Sequence, residues 1–414
     1  MKIIVSSINF FPDHSGIALY STDLPLFFAE KGHQITMVTG FSYYPRWKKL
    51  SKDKGTLFRV EEYHGVKVYR GYLYVPQKVT TLKRIIHEIS FLFFASINFL
   101  RAGKHDVIIT LTPPLLLGLI GLFFRKLWGA KIVLHIQDLQ LEAGLSLGMV
   151  KRSFLTKLID RIDRDINNKC DLVVPISNSM KAFLVSKGVN ESKMTIVYNW
   201  IDFKGVAQKG RSGFFINKYP ELANKFLIAY AGNIGIKQGL DNLIDLAEAT
   251  KNGNIHYLII GEGADKYRVM SIASKKKLNN ITFHPFLNQE QYYNMLRDID
   301  VSFMSQQTKA GSVFFPSKLL GIMALGKPIL LSADLDSELS EFISRNGCGL
   351  VAAPGDIETL MKHVEYLYYN PEGKRKIGKK GYLTVQQFDR EKILSSYRNK
   401  IIEIGGRASN NCRR

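Results

Sequence analysis

Short apolar runs alternate with amphipathic segments along most of the chain. In the first half, runs typical of buried strands lie at 2–6, 34–39, 107–111, 132–136, 172–177 and 194–198. In the second half they lie at 227–231, 256–260, 281–283, 301–304 and 328–332, with segments of helical period between them. Repeated β–α units of this kind predict an α/β fold with mostly parallel sheets and helices on both faces.

A chain of 414 residues is longer than one hydrophobic core usually serves. The alternating pattern lapses into polar and glycine-bearing residues at 199–213. We therefore predict two doubly wound, Rossmann-like domains, 1–200 and 201–390, facing across a cleft. A C-terminal helix and basic tail, 391–414, is expected to return toward the N-terminal domain. Ligands of such folds lie at the carboxyl ends of the strands.

The segment 227–248 has the layout of a phosphate-binding unit. A short apolar run is followed by a glycine turn, Gly232 to Gly235, then Lys237, and then apolar residues at helical spacing from Leu240. Backbone N–H groups and a cation would meet a diphosphate there. The alternative is an ordinary β–α turn with an exposed lysine.

Two later turns resemble it. Gly263 belongs to a second glycine turn, after the strand 256–260. Ser317 is a predicted N-cap with Lys318 beside it, and free N–H groups next to a lysine would favour another anion.

Polar residues also follow two strands of the first half. The loop after the first strand ends in a lone Gly16 and lacks the G-x-G-x-x-G of a dinucleotide site, and no acidic residue ends the next strand. These features argue against an NAD enzyme. The run 132–136 ends in polar residues, and His135, Asp138 and Glu142 are expected where a cleft would lie. A histidine there could donate to a sugar and a carboxylate could orient an acceptor. The alternative for His135 is a hydrogen-bonded structural histidine.

The formal net charge is +21, spread over both halves. Nucleic acid, anionic lipid and phosphorylated substrates are the partners such a charge attracts, and no nucleic-acid-binding motif accompanies it. The runs 89–100 and 107–124 contain no charged residue, and Lys83 and Arg84 precede the first. Either a buried core helix or a helix partly sunk in an anionic membrane surface would explain them.

Three cysteines, far apart, suit neither a disulfide framework nor a metal site, which favours a reducing cytosol. The N-terminus lacks the features of a signal peptide.

Taken together, the motifs resemble the retaining, GT-B-class glycosyltransferase family 4, and within it the branch that builds colanic acid and related bacterial polysaccharides. The segments that support this are TLKRIIHEISF, VLHIQDLQLEAGLSLG, ISNSM, VYNWID, YAGNIGIKQGL, IIGEGADKYRV, FPSKLLGIMALGKPIL and NGCGLVAAPGD. The resemblance implies a nucleotide-sugar donor, a polyprenyl-diphosphate-linked acceptor, and work at the inner face of the plasma membrane. No metal or other cofactor is expected, and no nucleic acid.

The resemblance also implies residue roles. Lys237 would neutralise the donor diphosphate, Gly16 would line the donor loop, and His135 would hydrogen-bond the donor sugar. Gly263 would contact the nucleotide. The phosphates would lie at Ser317, Lys318 and Leu319.

Three positions depart from the family pattern. Asn233 stands where most members have an arginine, and Val313 and Gly321 stand where they have two glutamates. The sequence therefore does not identify the residue that would contact the ribose of the donor. A nucleotide-sugar epimerase on the same fold, or a non-catalytic sugar- or membrane-binding relative, are the alternatives.

Overall fold

The structure is a computed structural model that describes residues 1–13, 16–44, 47–78, 80–139, 153–203, 206, 210–307 and 318–411, the last five by backbone only. It contains two compact units. Unit 1 comprises Met1–Asn199 and the chain from Glu391 onward, and unit 2 comprises Trp200–Arg390.

Strands and helices alternate as expected for an α/β protein. The strands are β1 Lys2–Ser6, β2 Gln34–Gly40, β3 Phe58–Tyr63, β4 Val66–Gly71, β5 Val107–Thr112, β6 Lys131–Ile136, β7 Leu172–Pro175, β8 Phe226–Ala231, β9 Ile255–Ile260, β10 Ile281–His284, β11 Val301–Ser305, β12 Ile329–Ser332 and β13 Gly349–Ala352. The described α-helices are α1 Ile17–Glu30, α2 Thr81–Ala102, α3 Leu117–Trp128, α4 Phe154–Lys169, α5 Asn178–Ser186, α6 Phe214–Lys218, α7 Asp241–Ala249, α8 Lys266–Lys275, α9 Gln289–Asp298, α10 Lys318–Ala324, α11 Glu338–Asn346, α12 Ile357–Tyr369, α13 Pro371–Val385 and α14 Arg390–Asn411.

Unit 1 is built on a seven-stranded sheet of order β3-β4-β2-β1-β5-β6-β7. All neighbours are parallel except β3 and β4, which form an antiparallel pair at one edge. Because successive side chains of a strand point to opposite faces of the sheet, β6 contacts helices on both sides. Leu134 lies beside Gly118 of α3, whereas the His135 ring packs against Tyr397 of α14. On the first face α2 joins α3 through stacked Phe99 and Phe124. The sheet is therefore covered on both sides.

Unit 2 is built on a six-stranded, all-parallel sheet of order β10-β9-β8-β11-β12-β13. Helices α7, α8 and α12 share one core cluster with the sheet, and fully buried Ile228, Leu243 and Val364 belong to it. Helix α10 packs against α13, and α6 against α9. The predicted fold class, two Rossmann-like α/β domains, is confirmed.

The structure differs from the prediction at the sheet edges and at one predicted strand. Strands β3, β4 and β13 were not predicted, and each lies at or beside a sheet edge. The predicted strand at 194–198 is wrong, because this segment makes only an isolated bridge between Met194 and Val173.

Candidate active site

The centre of the unit 2 sheet is a topological switch point. Strands β8 and β11 are neighbours, yet the chain leaves β8 toward β9 and leaves β11 toward β12, on opposite sides. In open parallel sheets, ligands bind outside the carboxyl ends of the strands at such a point. The glycine turn after β8 lies there, so the fold places the predicted phosphate site at the expected edge.

Two glycine turns lie backbone against backbone at this edge. A Cβ on Gly261 would lie 1.8 Å from the Gly232 carbonyl oxygen, and one on Gly263 would lie 2.1 Å from the Ile234 carbonyl oxygen. Ile234 N–H donates to the Glu262 carbonyl at 2.8 Å. Glycine is required at 261 and 263 because any side chain would separate the turns. The predicted contact of Gly263 with a nucleotide stays a prediction, beside this packing role.

Lys237 lies in a single 3-10 turn, Ile236–Gln238, ahead of α7. Its carbonyl oxygen accepts from Gln307 N–H at 2.9 Å, and the Gly239 carbonyl accepts from Ser305 Oγ at 3.2 Å. These bonds fix the turn to the end of β11. The Lys237 side chain is half-buried at this edge.

Lys318 reaches the same turn from α10. Its Nζ lies 4.1 Å from the centre of the Tyr230 ring and 3.5 Å from the Ala231 carbonyl oxygen. A Cβ on Gly232 would lie 3.5 Å from this Nζ. Burial lowers the pKa of Lys318 to about 8, and no carboxylate of the described chain forms an ion pair with it. Among the described residues, the ammonium at the mouth of the turn therefore has no carboxylate partner.

The remaining predicted donor-binding residues differ in how far they are exposed to solvent. The Leu319 side chain is fully buried, so only its backbone is available to an anion, and its expected place at the phosphates stays a prediction. Asn233 is exposed, and its carbonyl oxygen accepts from Tyr230 Oη at 2.6 Å. The buried Tyr230 thus shapes the turn that Asn233 presents, a role that its position inside an apolar strand run hid from the sequence. Ser317 and Val313 lie outside the described residues.

Gly321 lies where the family pattern has a glutamate. It is buried in α10, and a Cβ there would lie 3.2 Å from Tyr293 Cε1 and 3.6 Å from Tyr292 Cε1. The two tyrosines of α9 thus occupy the space beside this position, and a larger side chain would displace Tyr293.

Unit 1 has an equivalent edge, since β1 and β5 are neighbours while the chain leaves them in opposite directions. Gly16 caps α1 at φ 61°, and a Cβ there would meet no atom within 4 Å. A positive φ favours glycine, and the space before it is open.

The loop leading to Gly16 is held by a buried carboxylate. Asp13 accepts hydrogen bonds from Asn9 Nδ2 at 2.9 Å and from Ser42 Oγ at the end of β2. Burial raises the pKa of Asp13, although these bonds oppose the rise. Asp13 joins the loops after β1 and β2, and no sequence motif indicated it.

The expected position of His135 at an open edge is wrong. The strand continues through Ile136, so His135 lies inside it and is fully buried. Burial lowers its pKa to about 3, and it therefore stays neutral. Gln137, two residues on and on the same face, lies at the strand's end. Its Nε2 lies 2.9 Å from His135 Nε2 and donates to Asn199 Oδ1 at 3.0 Å.

Asp138 follows Gln137 and is half-buried, beyond the carboxyl end of β6. The third residue of this predicted group, Glu142, lies outside the described residues.

In the described part of the chain, no group of three His, Cys, Asp or Glu side chains could hold a metal ion. Two acidic residues close in sequence, Asp298 and Asp300, bind groups of the protein rather than a metal ion. Asp298 accepts from the backbone N–H groups of α6 and its cap, and Asp300 pairs with Lys374 at 2.7 Å.

Comparisons with known proteins agree with this architecture. The family described as "Glycosyl transferases group 1" matches residues 213–384, and the "Glycosyl transferase 4-like domain" matches residues 15–200. The chain is 30% identical over 410 residues to the putative colanic acid biosynthesis glycosyl transferase WcaI of Escherichia coli K12, covering 97% of this chain and 100% of that protein. It is 26% identical over 277 residues to the probable glycosyltransferase WbjE of Pseudomonas aeruginosa, covering 67% and 69%.

Solved structures show the same fold. Sucrose-phosphate synthase of Thermosynechococcus elongatus superposes with a TM-score of 0.75 at 16% identity, covering 97% of this chain and 98% of that chain. Anabaena HepE in complex with UDP-glucose gives 0.71 at 15% identity, covering 98% and 99%. With 30% identity along nearly the whole chain and both domain families matched, the protein belongs to the group 1, GT4-like glycosyltransferases, enzymes with GT-B architecture.

Proposed function

We propose that this glycosyltransferase of polysaccharide-type biosynthesis moves a sugar, with retention, from a UDP- or GDP-sugar to a polyprenyl-diphosphate-linked sugar or oligosaccharide. Unit 2 would bind the donor and unit 1 the acceptor. The reaction would take place at the inner face of a bacterial plasma membrane.

The observation that supports the donor site is the ammonium of Lys318 beside the glycine turn. Burial of this cation is costly, no described carboxylate pairs with it, and a diphosphate would supply the opposite charge. Lys237 lies on the same turn system, fixed to the end of β11. The solved structure of HepE contains UDP-glucose, and that protein shares this fold.

The proposed chemistry needs no base from the protein. The bond between the sugar's anomeric carbon and the diphosphate oxygen breaks, and a bond to the acceptor hydroxyl oxygen forms on the same face. The acceptor proton moves to the leaving diphosphate oxygen. Lys237 and Lys318 would stabilise the negative charge that develops on the diphosphate, the work that a metal ion does elsewhere. In this proposal the fully buried His135 does not act as a base.

The test uses purified protein, membranes and radiolabelled nucleotide sugars. Lys237→Ala and Lys318→Met should each lower the transfer rate at least about a hundredfold. Lys362→Ala is the matched control, since its Nζ pairs with Glu358 at 2.6 Å on the exposed side of α12. Full transfer by Lys237→Ala would disprove the phosphate role.

Two outcomes would redirect the assignment. Turnover of a nucleotide sugar without acceptor would favour an epimerase, an alternative raised by the absence of both family glutamates, at Val313 and Gly321. A protein that binds no nucleotide in calorimetry, yet is folded, would contradict the donor proposal altogether.

A further inference from the structure

Helix α2 has two apolar faces. One is buried on the unit 1 sheet, with Phe91, Ala95 and Phe99 fully buried. The other is exposed, and its six large apolar side chains are Leu82 67%, Ile85 48%, Ile86 44%, Ile89 56%, Phe93 61% and Leu100 61% exposed. At about 100° per residue, these six fall within an arc of roughly 100°. They form one stripe along the whole helix.

Helix α3 presents exposed apolar side chains of its own. Leu119, Phe123 and Leu127 recur every fourth residue and are 45%, 63% and 58% exposed. The two helices touch, since Phe99 of α2 stacks on Phe124 of α3 at 4.9 Å between ring centroids. We name the exposed side chains of α2 and α3 the apolar ridge. Nine exposed large apolar side chains on two touching helices are unusual on a monomeric protein in water.

Basic residues flank the ridge. Lys78 and Lys83 lie at the start of α2, Lys104 lies just beyond its end, and Lys126 lies in the last turn of α3. None of these four forms an ion pair within the described part of the chain. The sole acidic residue of the two helices, Glu88, pairs with Arg84. An apolar face edged by unpaired lysines complements an anionic bilayer surface.

Helix α2 is also long and apolar enough to cross a membrane by length and composition alone. Its packing excludes that orientation in this fold. A spanning helix would expose all its faces to lipid or to other spanning segments, whereas Phe91, Ala95 and Phe99 contribute to the unit 1 core. Only one stripe remains for lipid, so the helix axis must lie in the plane of the membrane.

We propose that the apolar ridge of α2 and α3 is the surface by which this protein docks on a bilayer containing anionic lipid. The nine exposed apolar side chains of the ridge enter the headgroup–acyl boundary, and Lys78, Lys83, Lys104 and Lys126 contact lipid phosphates. The inference builds on the proposed membrane location and specifies which surface binds. Vesicle binding is measured without donor or acceptor, so its failure is distinguishable from failure of the transfer reaction.

The test is co-flotation of the full chain with vesicles of phosphatidylcholine alone or with about a third phosphatidylglycerol. The wild-type protein should float with the anionic vesicles. The double variant Ile89→Ser, Phe93→Ser should lower the partition coefficient at least about tenfold. Lys83→Gln with Lys126→Gln should lower it on the order of tenfold on anionic vesicles only, and added salt should remove that difference.

The matched control is Leu335→Ser in unit 2, because Leu335 is 63% exposed, like Phe93. It should float as the wild type does. Since none of the substituted side chains is buried, melting temperatures should agree within about 2 °C and exclude misfolding.

Two results would overturn the proposal. In one, wild-type protein that is monodisperse in solution does not float with the anionic vesicles. In the other, light scattering shows a dimer that Ile89→Ser, Phe93→Ser dissociates, which would make the ridge an interface between copies of this chain.

Discussion

Lys318 is the residue whose environment says most about the chemistry of unit 2. Its ammonium lies over the Tyr230 ring, beside the Gly232 turn, and burial lowers its pKa to about 8. The Lys318 side chain is therefore mostly charged below about pH 8 and mostly neutral above it. A bound diphosphate would restore the charged form, so donor binding and protonation are linked.

The first prediction follows from this sign. The affinity for UDP should be constant below about pH 7 and should fall by up to about tenfold between pH 8 and 9, where Lys318 loses its proton. Isothermal titration calorimetry across this range measures it. Lys318→Arg should remove the fall, because a guanidinium stays charged. A wild-type dissociation constant that does not change up to pH 9.5 would contradict this role.

His135 gives a second prediction at the residue scale. Burial lowers its pKa to about 3, whereas an unfolded histidine takes up a proton near pH 6.5. Acidification therefore favours the unfolded chain, and His135 should contribute about 2 kcal/mol to the loss of stability between pH 7 and pH 5. Urea unfolding at both pH values should show a smaller loss for His135→Gln. The exposed His64, replaced by Asn, should leave the loss unchanged.

At the scale of elements, the paired glycine turns position the candidate donor site. Gly263→Ala would place a Cβ 2.1 Å from the Ile234 carbonyl oxygen and push the two turns apart. We expect UDP affinity to fall at least about tenfold, since displacements of an ångström are costly in such sites. Calorimetry checks it, with Gly253→Ala as control, because a Cβ there meets nothing within 4 Å. Equal affinities would show that the turns separate without consequence.

Asp298 fixes another junction, between α9 and the start of α6. It is fully buried and accepts from the backbone N–H groups of Ser212, Gly213 and Phe215 at 2.6 to 2.9 Å. Asp298→Ala leaves these donors unsatisfied and should lower the free energy of unfolding by about 3 kcal/mol. Urea denaturation measures the loss. The exposed Asp336→Ala should change little, and a similar loss for both would refute the role.

The sequence predicted the central strands well and the sheet edges poorly. Strands β1, β5, β6, β8 and β9 are continuous apolar runs because both faces are covered, and such runs are visible in one dimension. The β3 strand alternates polar and apolar residues at an edge, and the antiparallel partner that defines it is a tertiary feature.

The candidate site shows the same limit. The glycine turn and Lys318 were identifiable from residue type and spacing. His135 was misplaced, because its burial against Tyr397 of α14 is a tertiary contact that the strand run itself does not show. Asp13 was missed because its partner Ser42 is distant in sequence. Tyr230 was missed because it lies inside an apolar strand run.

At the scale of the whole molecule, the chain begins and ends in unit 1. Helix α14 returns there, and its Leu394, Tyr397 and Ile401 are at most 1% exposed. Tyr397 contacts both Phe28 of α1 and His135 of β6. The final helix is thus part of the unit 1 core rather than a tail.

Removing this core contact should therefore destabilise unit 1. Tyr397→Ala should lower its free energy of unfolding by about 4 kcal/mol, as large-to-small core changes do. Hydrogen exchange should become faster in α1 and β6 and stay unchanged in β8. Tyr369→Ala, at a 72% exposed tyrosine, is the control. Protection of α1 and β6 that survives Tyr397→Ala would contradict the assignment.

The return of α14 affects how unit 1 can be made. While the protein is synthesised, the pocket for Tyr397 stays empty until α14 emerges, so a fragment ending near residue 199 lacks part of its interior. A Cβ on Gly405 of α14 would lie 3.1 Å from Met1 Sδ, so this part of the helix lies beside the residue that precedes β1. A circularly permuted gene that begins with α14 and continues through a short linker into β1 would encode unit 1 as one continuous segment.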